Sequence, residues 1–258
     1  NGLKNKTREN HKIDGLSPDA NKLRGHSEII NVETLTKNID LAWETTRTPA
    51  EFRSKLLVIF RTTLSEGSNF IQDRFLSNND GAEAVLAQAY LMDTLIKAAL
   101  ETVDTKLYRA PNPTQGEQLC IIAVGGYGRG ELAPFSDIDL LFLLPYKQTP
   151  RVEQVVETIL YLLWDMKLKV GHSTRSIDEC MRQAKADMTV RTAILESRYI
   201  CGEISLMEQM IARFREEIIK GSALEFVEAK LKESDDRHRQ LGDSRYVIEP
   251  NIKDGKGG

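Results

Sequence analysis

The sequence predicts an α+β fold, a small mixed β-sheet packed by helices, and three observations carry that expectation. Long segments with apolar residues at helical spacing fill the first part of the chain. Two short β-prone runs, Leu119 to Val124 and Ile138 to Leu144, lie near its middle. Helical spacing then resumes, so strands and helices are grouped in blocks, which favours a segregated arrangement over a regular βαβ alternation.

The elements follow in order. Residues 1–30 are polar with scattered Lys and Arg and read as a flexible or loosely docked arm. A short helix is expected from Glu33 to about Thr46. Thr48-Pro49 then supplies an N-cap followed by proline at the first helical position. The helix it starts carries Phe52, Leu56, Ile59, Phe60 and Leu64 on one face and extends past Gly67 to Phe75. Asn78-Asn79-Asp80-Gly81 is a turn. A long helix from Ala82 to about Tyr108 follows, with Leu86, Tyr90, Leu95, Ile96, Leu100, Val103 and Leu107 apolar. Residues 31–115 therefore read as an N-terminal helical region.

Ala110-Pro111-Asn112-Pro113-Thr114 breaks that pattern and opens a core at 116–200. Its two strands are the runs named above. Pro145 to Pro150 is a connection, Val152 to Trp164 an amphipathic helix, and Leu168 to Arg175 a third strand. Ser176-Ile177-Asp178-Glu179 matches a capping box and starts another helix. From there the spacing is helical to about Gln240, with Gly202 and Gly221 expected at helix C-termini. Residues 201–242 read as a helical bundle, and 243–258 as the start of a linker.

Composition narrows the function. The 258 residues carry a net charge of −3 and a charged fraction of 28%. No face is evidently basic, which argues against a protein built mainly to bind nucleic acid. No apolar run approaches the ~20 residues of a membrane helix, so no membrane partner is expected. Cys120, Cys180 and Cys201 are odd in number and lack CxxC spacing. They suggest neither zinc nor disulfides but buried or half-buried thiols in a reducing cytoplasm.

The chemistry concentrates in Val124-Gly125-Gly126-Tyr127-Gly128-Arg129-Gly130-Glu131-Leu132 and in Ser136-Asp137-Ile138-Asp139-Leu140. Along a strand, side chains alternate between faces, so Asp137 and Asp139 point the same way. The residues after Asp139, Leu140 to Leu144, are apolar without alternation, so this strand is expected to be buried on both faces rather than to be a solvated edge. Two carboxylates held together in such a strand call for a cation, and all-oxygen donors favour Mg2+ or Mn2+. Gly125 and Gly126 let backbone N–H groups approach phosphates without a Cβ in the way. Ser136 is placed to hydrogen-bond a phosphate. Arg129 serves either to neutralise charge there or as an exposed arginine, alone or beside Glu131. Taken together these are the parts of a metal–nucleotide site.

The run Gly125 to Asp139 resembles the DNA polymerase β-type nucleotidyltransferase superfamily, and more narrowly the bacterial protein-PII uridylyltransferase/uridylyl-removing enzymes. Val170-Gly171-His172-Ser173 with Arg175 is similar to that family's next strand. Glu249-Pro250-Asn251-Ile252-Lys253-Asp254-Gly255-Lys256-Gly257-Gly258 is similar to its segment after the transferase helices, with Lys256 standing where a small residue or proline is expected. The resemblance covers roughly residues 50–258. It implies a polymerase β-type fold and a metal-dependent transfer of UMP from UTP to a tyrosine of the PII signalling protein, with release of pyrophosphate. Asp137 and Asp139 would be catalytic and metal-binding, and Gly125, Gly126, Ser136 and Arg129 nucleotide-binding. It also implies that this chain is a fragment, with UMP removal and glutamine sensing in domains beyond it. The superfamily commonly adds a third carboxylate on a following strand, yet Leu168 to Arg175 holds none. His172 reads as a structural histidine ahead of a proton acceptor or phosphate contact, and Arg175 and Lys253 are weaker candidates of that kind. Two other readings stand beside this one. One is an adenylyltransferase of the same superfamily; the other is a nucleotide-binding regulatory module without catalysis.

Overall fold

The computed structural model describes residues 26–110, 114–146 and 148–220. The expected arm up to residue 25, Gly221, the helical spacing to Gln240 and the Glu249–Gly258 segment lie outside the described residues. After a short α1 (His26–Ile29), α2 (Val32–Thr45) begins where the Asn31 side chain accepts from Thr34 N–H. Thr48 caps α3 (Pro49–Asn78) by accepting from Glu51 N–H, with Pro49 in the first turn as the sequence predicts. Asn79 takes the left-handed conformation (φ 54°) that ends α3, and Asp80 caps α4 (Gly81–Thr102) by accepting from Glu83 N–H. A wider turn, Val103–Leu107, prolongs α4.

The sheet follows. β1 (Cys120–Ala123), β2 (Ile138–Leu144), β3 (Val170–Ser176) and β4 (Arg198–Gly202) lie in the order β3-β2-β1-β4. β2 and β4 both run antiparallel to β1, and β3 runs parallel to β2, so the sheet is mixed. The parallel pair needs a crossover, supplied by α6 (Pro150–Asp165). A four-residue helical turn, α5 (Gly125–Gly128), joins β1 to the loop before β2. Ser176 and Glu179 form both halves of the expected capping box at the start of α7 (Ile177–Ala186). Next come α8 (Met188–Leu195) and α9 (Ile204–Phe214).

Because strand side chains alternate, the sheet divides the core in two. Ile121, Ala123, Ile138, Leu140, Phe142 and Leu144 pack with apolar residues of α2, α3, α4 and α6. Cys120, Ile122, Leu141 and Leu143 pack with Ile177, Cys180 and Met181 of α7 and Met207, Met210 and Phe214 of α9. With both faces covered, every residue of β2 is buried except Asp139, which is partly so.

Two expectations need correction. Residues 198–202 are a strand, not helix, and Gly202 ends that strand rather than a helix. The run is short, buries Arg198 and Ile200 in alternation with Tyr199 and Cys201, and pairs with β1. At φ 94° Gly202 lies so close to the Leu119 carbonyl that a Cβ would collide with it. Secondly, α6 begins at Pro150 rather than after it. Thr149 caps it by accepting from Val152 N–H, the same Thr-Pro start that opens α3.

Candidate active site

β1 delivers the chain to the glycine turn beside β2. Val124 N–H donates to Asp139 O at 3.0 Å, which ties the exit of β1 to the second aspartate. Gly125 then turns with φ 61°, a conformation that L side chains rarely adopt. A Cβ on Gly125 would stand 3.2 Å from Asp139 Oδ2. On the other flank, β3 places Gly171 opposite Asp139, and a Cβ there would collide with Oδ1. The Asp139 carboxylate thus lies between two positions that hold no side chain. The sequence named Gly125 for its backbone; that Gly171 also makes room follows only from the pairing of β3.

Asp137 is exposed, one residue ahead of β2, and by strand alternation it shares the face of Asp139. Ser136 is exposed beside it, its N–H donating to Ala133 O at 3.1 Å. Phe135, just before, combines φ 66° with 95% exposure. Arg129 closes the turn. Its guanidinium lies over Gly126, where a Cβ would be 3.7 Å from one terminal nitrogen. The same group meets Glu196 at 3.0 Å and Glu131 only at 4.0 Å. Gly125 thus lies beside Asp139 and Gly126 beside Arg129, while Ser136 and Asp137 are exposed in the loop that enters β2.

His172 does not join them. It follows Gly171 on β3, so its side chain takes the opposite face of the sheet, where the ring meets Trp164 edge-on at 5.7 Å. Arg175 pairs with Leu143, toward the far end of β2 from Asp139. Lys253 lies outside the described residues. Among the described residues no three His, Cys, Asp or Glu side chains cluster as a metal site, so the two aspartates stand without an evident third carboxylate.

The sequence reading missed the support behind the turn. Tyr127 is buried, and its hydroxyl donates to Asp93 Oδ1 of α4 at 2.5 Å. Arg198 of β4 is buried as well. It grips Asp93 through two hydrogen bonds, 2.5 Å to Oδ2 and 3.1 Å to Oδ1. Its guanidinium also donates to Tyr127 O at 3.2 Å and lies 5.3 Å from the Tyr127 ring centroid. Burial, then the Asp93 charge and hydrogen bond, hold the Tyr127 hydroxyl well above its usual pKa. Burial alone would lower the pKa of Arg198, but Asp93 outweighs it and leaves that pKa raised. One signal for Asp93 was legible: a carboxylate among Leu91, Met92, Leu95 and Ile96 in an apolar helix demands a partner.

Residues 115–200 match the model of the family described as nucleotidyltransferase domain, and residues 225–258 that of GlnD PII-uridylyltransferase. The bifunctional uridylyltransferase/uridylyl-removing enzyme of Azospirillum brasilense is 55% identical over 81% of this chain and 22% of its own length. Proteins of the same name from Rhodospirillum rubrum and Rhodopseudomonas palustris are 49% and 48% identical, over 92% and 84% of this chain and 25% and 24% of their own. The chain thus spans about a quarter of the length of these relatives. Residues 115–200 are thus a nucleotidyltransferase domain, and the chain is similar to part of the bifunctional uridylyltransferase/uridylyl-removing enzymes.

Proposed function

We propose that this chain transfers UMP from UTP to a tyrosine of a PII signalling protein in the cytoplasm, with magnesium or manganese as cofactor and pyrophosphate as the product released. The observation that carries this reading is the meeting of Gly125 and Asp139. A turn suited to phosphate and a carboxylate suited to a hard cation converge where two glycines leave room. The family names support the acceptor and the nucleotide.

Asp137 and Asp139 would hold the metal, and a hard divalent cation fits a set of two carboxylates completed by waters and substrate phosphates. When bound, that ion supplies a lowered pKa at the attacking hydroxyl and charge neutralisation at the leaving oxygens. The remaining steps belong to the protein. Backbone N–H groups of Gly125 and Gly126 hold the β- and γ-phosphates. Ser136 donates its hydroxyl to a phosphate oxygen. Arg129 exchanges Glu196 for the triphosphate. In-line attack then depends on positioning and charge, the usual source of rate in this chemistry.

The test incubates the purified protein with PII, ATP, 2-oxoglutarate, magnesium and labelled UTP, beside the Asp137→Ala/Asp139→Ala variant. Label on PII is expected with the wild type alone. Label that survives the double substitution would overturn the site. In a parallel incubation with labelled ATP and unlabelled UTP, label transferred from ATP, with none from UTP in the first, would make the chain an adenylyltransferase.

A further inference from the structure

The glycine turn is held from behind by residues distant in sequence. Arg198 reaches it from β4 and Asp93 from α4, and both converge on Tyr127. The segment leading into β4 grips the same turn. Glu196 pairs with Arg129, and its carbonyl lies so close to Gly128 that a Cβ would collide with it. Tyr127 O is fixed twice, by Gly130 N–H at 3.0 Å and by Arg198 at 3.2 Å. Tyr127 is the residue immediately after Gly125 and Gly126. Whatever fixes its ring and its peptide also fixes how those two N–H groups point.

We propose that Asp93, Tyr127 and Arg198 are positioning residues for the nucleotide: a buried latch that sets the Gly125–Gly126 backbone for the triphosphate. This rests on the reading of that turn as the phosphate-binding element. None of the three needs to touch substrate. Their effect passes through the orientation of backbone donors, where small displacements weaken preorganised contacts.

The decisive variants are Tyr127→Phe, which keeps the ring and deletes the hydroxyl bonded to Asp93, and Arg198→Lys, which keeps the charge but loses the paired hydrogen bonds. Each is assayed with the whole chain, well below its melting temperature, for labelled UTP binding with magnesium and for the KM of UTP during transfer. The control is Arg151→Ala. Arg151 pairs with the half-exposed Asp104 at 2.6 Å and donates to Tyr108 O, away from the turn. UTP affinity should fall about 10-fold in Tyr127→Phe and more in Arg198→Lys, with the KM for PII unmoved. Arg151→Ala should lower the melting temperature and leave UTP affinity alone. Wild-type UTP affinity in both latch variants would overturn the proposal while the site reading stood. Absence of UTP binding by the wild type would overturn the site reading and the latch with it.

Discussion

Asp93 and Asp139 are both carboxylates set in apolar elements, and the fold treats them in opposite ways. Around Asp93 it supplies counter-charge, with two hydrogen bonds from the buried Arg198 and one from Tyr127. Around Asp139 it supplies space, with glycine on either flank. A buried charge answered by the protein's own arginine is spent on structure. The Asp139 carboxylate instead lies where a side chain on Gly125 or Gly171 would crowd it. The two settings are close along the chain, since Tyr127, which bonds Asp93, is two positions from Gly125, where a Cβ would crowd Asp139.

The contrast can be broken or sharpened by experiment. The largest effect on stability should come from Asp93→Ala, which strands Arg198 without its partner. Removing one member of a buried pair typically costs about 3–5 kcal/mol, read as a fall in the urea midpoint. A variant as stable as the wild type would mean that Asp93 is not the structural charge. Asp139→Asn should do the reverse, cutting transfer by roughly 10²–10³-fold, the range for losing one preorganised charged contact, with little change in melting. Loss of folding instead would put Asp139 in the class of Asp93.

Gly171→Ala is a subtler probe, because it pushes a methyl group at the Asp139 carboxylate without changing any charge. Activity should drop about 10-fold or more, as misplaced groups near reacting atoms do, and Gly171→Ser should be worse. Equal activity in Gly171→Ala would show that the carboxylate does not need that room. Phe135→Gly should give the smallest shift, a gain of about 1 kcal/mol from relieving the left-handed backbone at φ 66°, measured by thermal melting.

pH separates the interior from the site. Burial pushes Cys180 up to about 11, and burial likewise pushes Cys201 up to about 12. Both shifts are upward, so the native state keeps protons that the unfolded chain releases. Their stabilisation is whole below the ordinary thiol pKa of about 8.5 and is lost as pH rises through the raised values. Stability should therefore decline from about pH 8.5 upward, and a thiol reagent at pH 8 should react slowly with Cys180, which is buried, until the chain unfolds. Fast labelling of native protein would contradict that burial.

Much of the scaffold was legible because its signals are local. The Thr48-Pro49 start, the Asn79–Asp80 break and the Ser176/Glu179 capping box each lie within a few residues, and each forms as expected. β2 follows its apolar run from Ile138 to Leu144 to the residue. β4 was misread because a five-residue strand between helices has too little length for its period to stand out, and pairing with β1 decided it. The glycine turn and the Asp137/Asp139 pair were legible as a motif, and the structure sets Gly125 beside Asp139. The face taken by His172 was not, since it depends on the register of β3 against β2.

By itself, then, the sequence determined the order of most elements, the glycine turn and the paired aspartates, all of which are encoded by neighbours a few bonds apart. Tertiary structure alone decided that Arg198 answers Asp93, 105 positions away, that Gly171 clears the flank of Asp139, and that His172 faces Trp164. The physical reason is that hydrogen bonds, charge pairs and steric collisions act over a few ångströms in space, whatever the distance along the chain, and only folding sets which groups come that close.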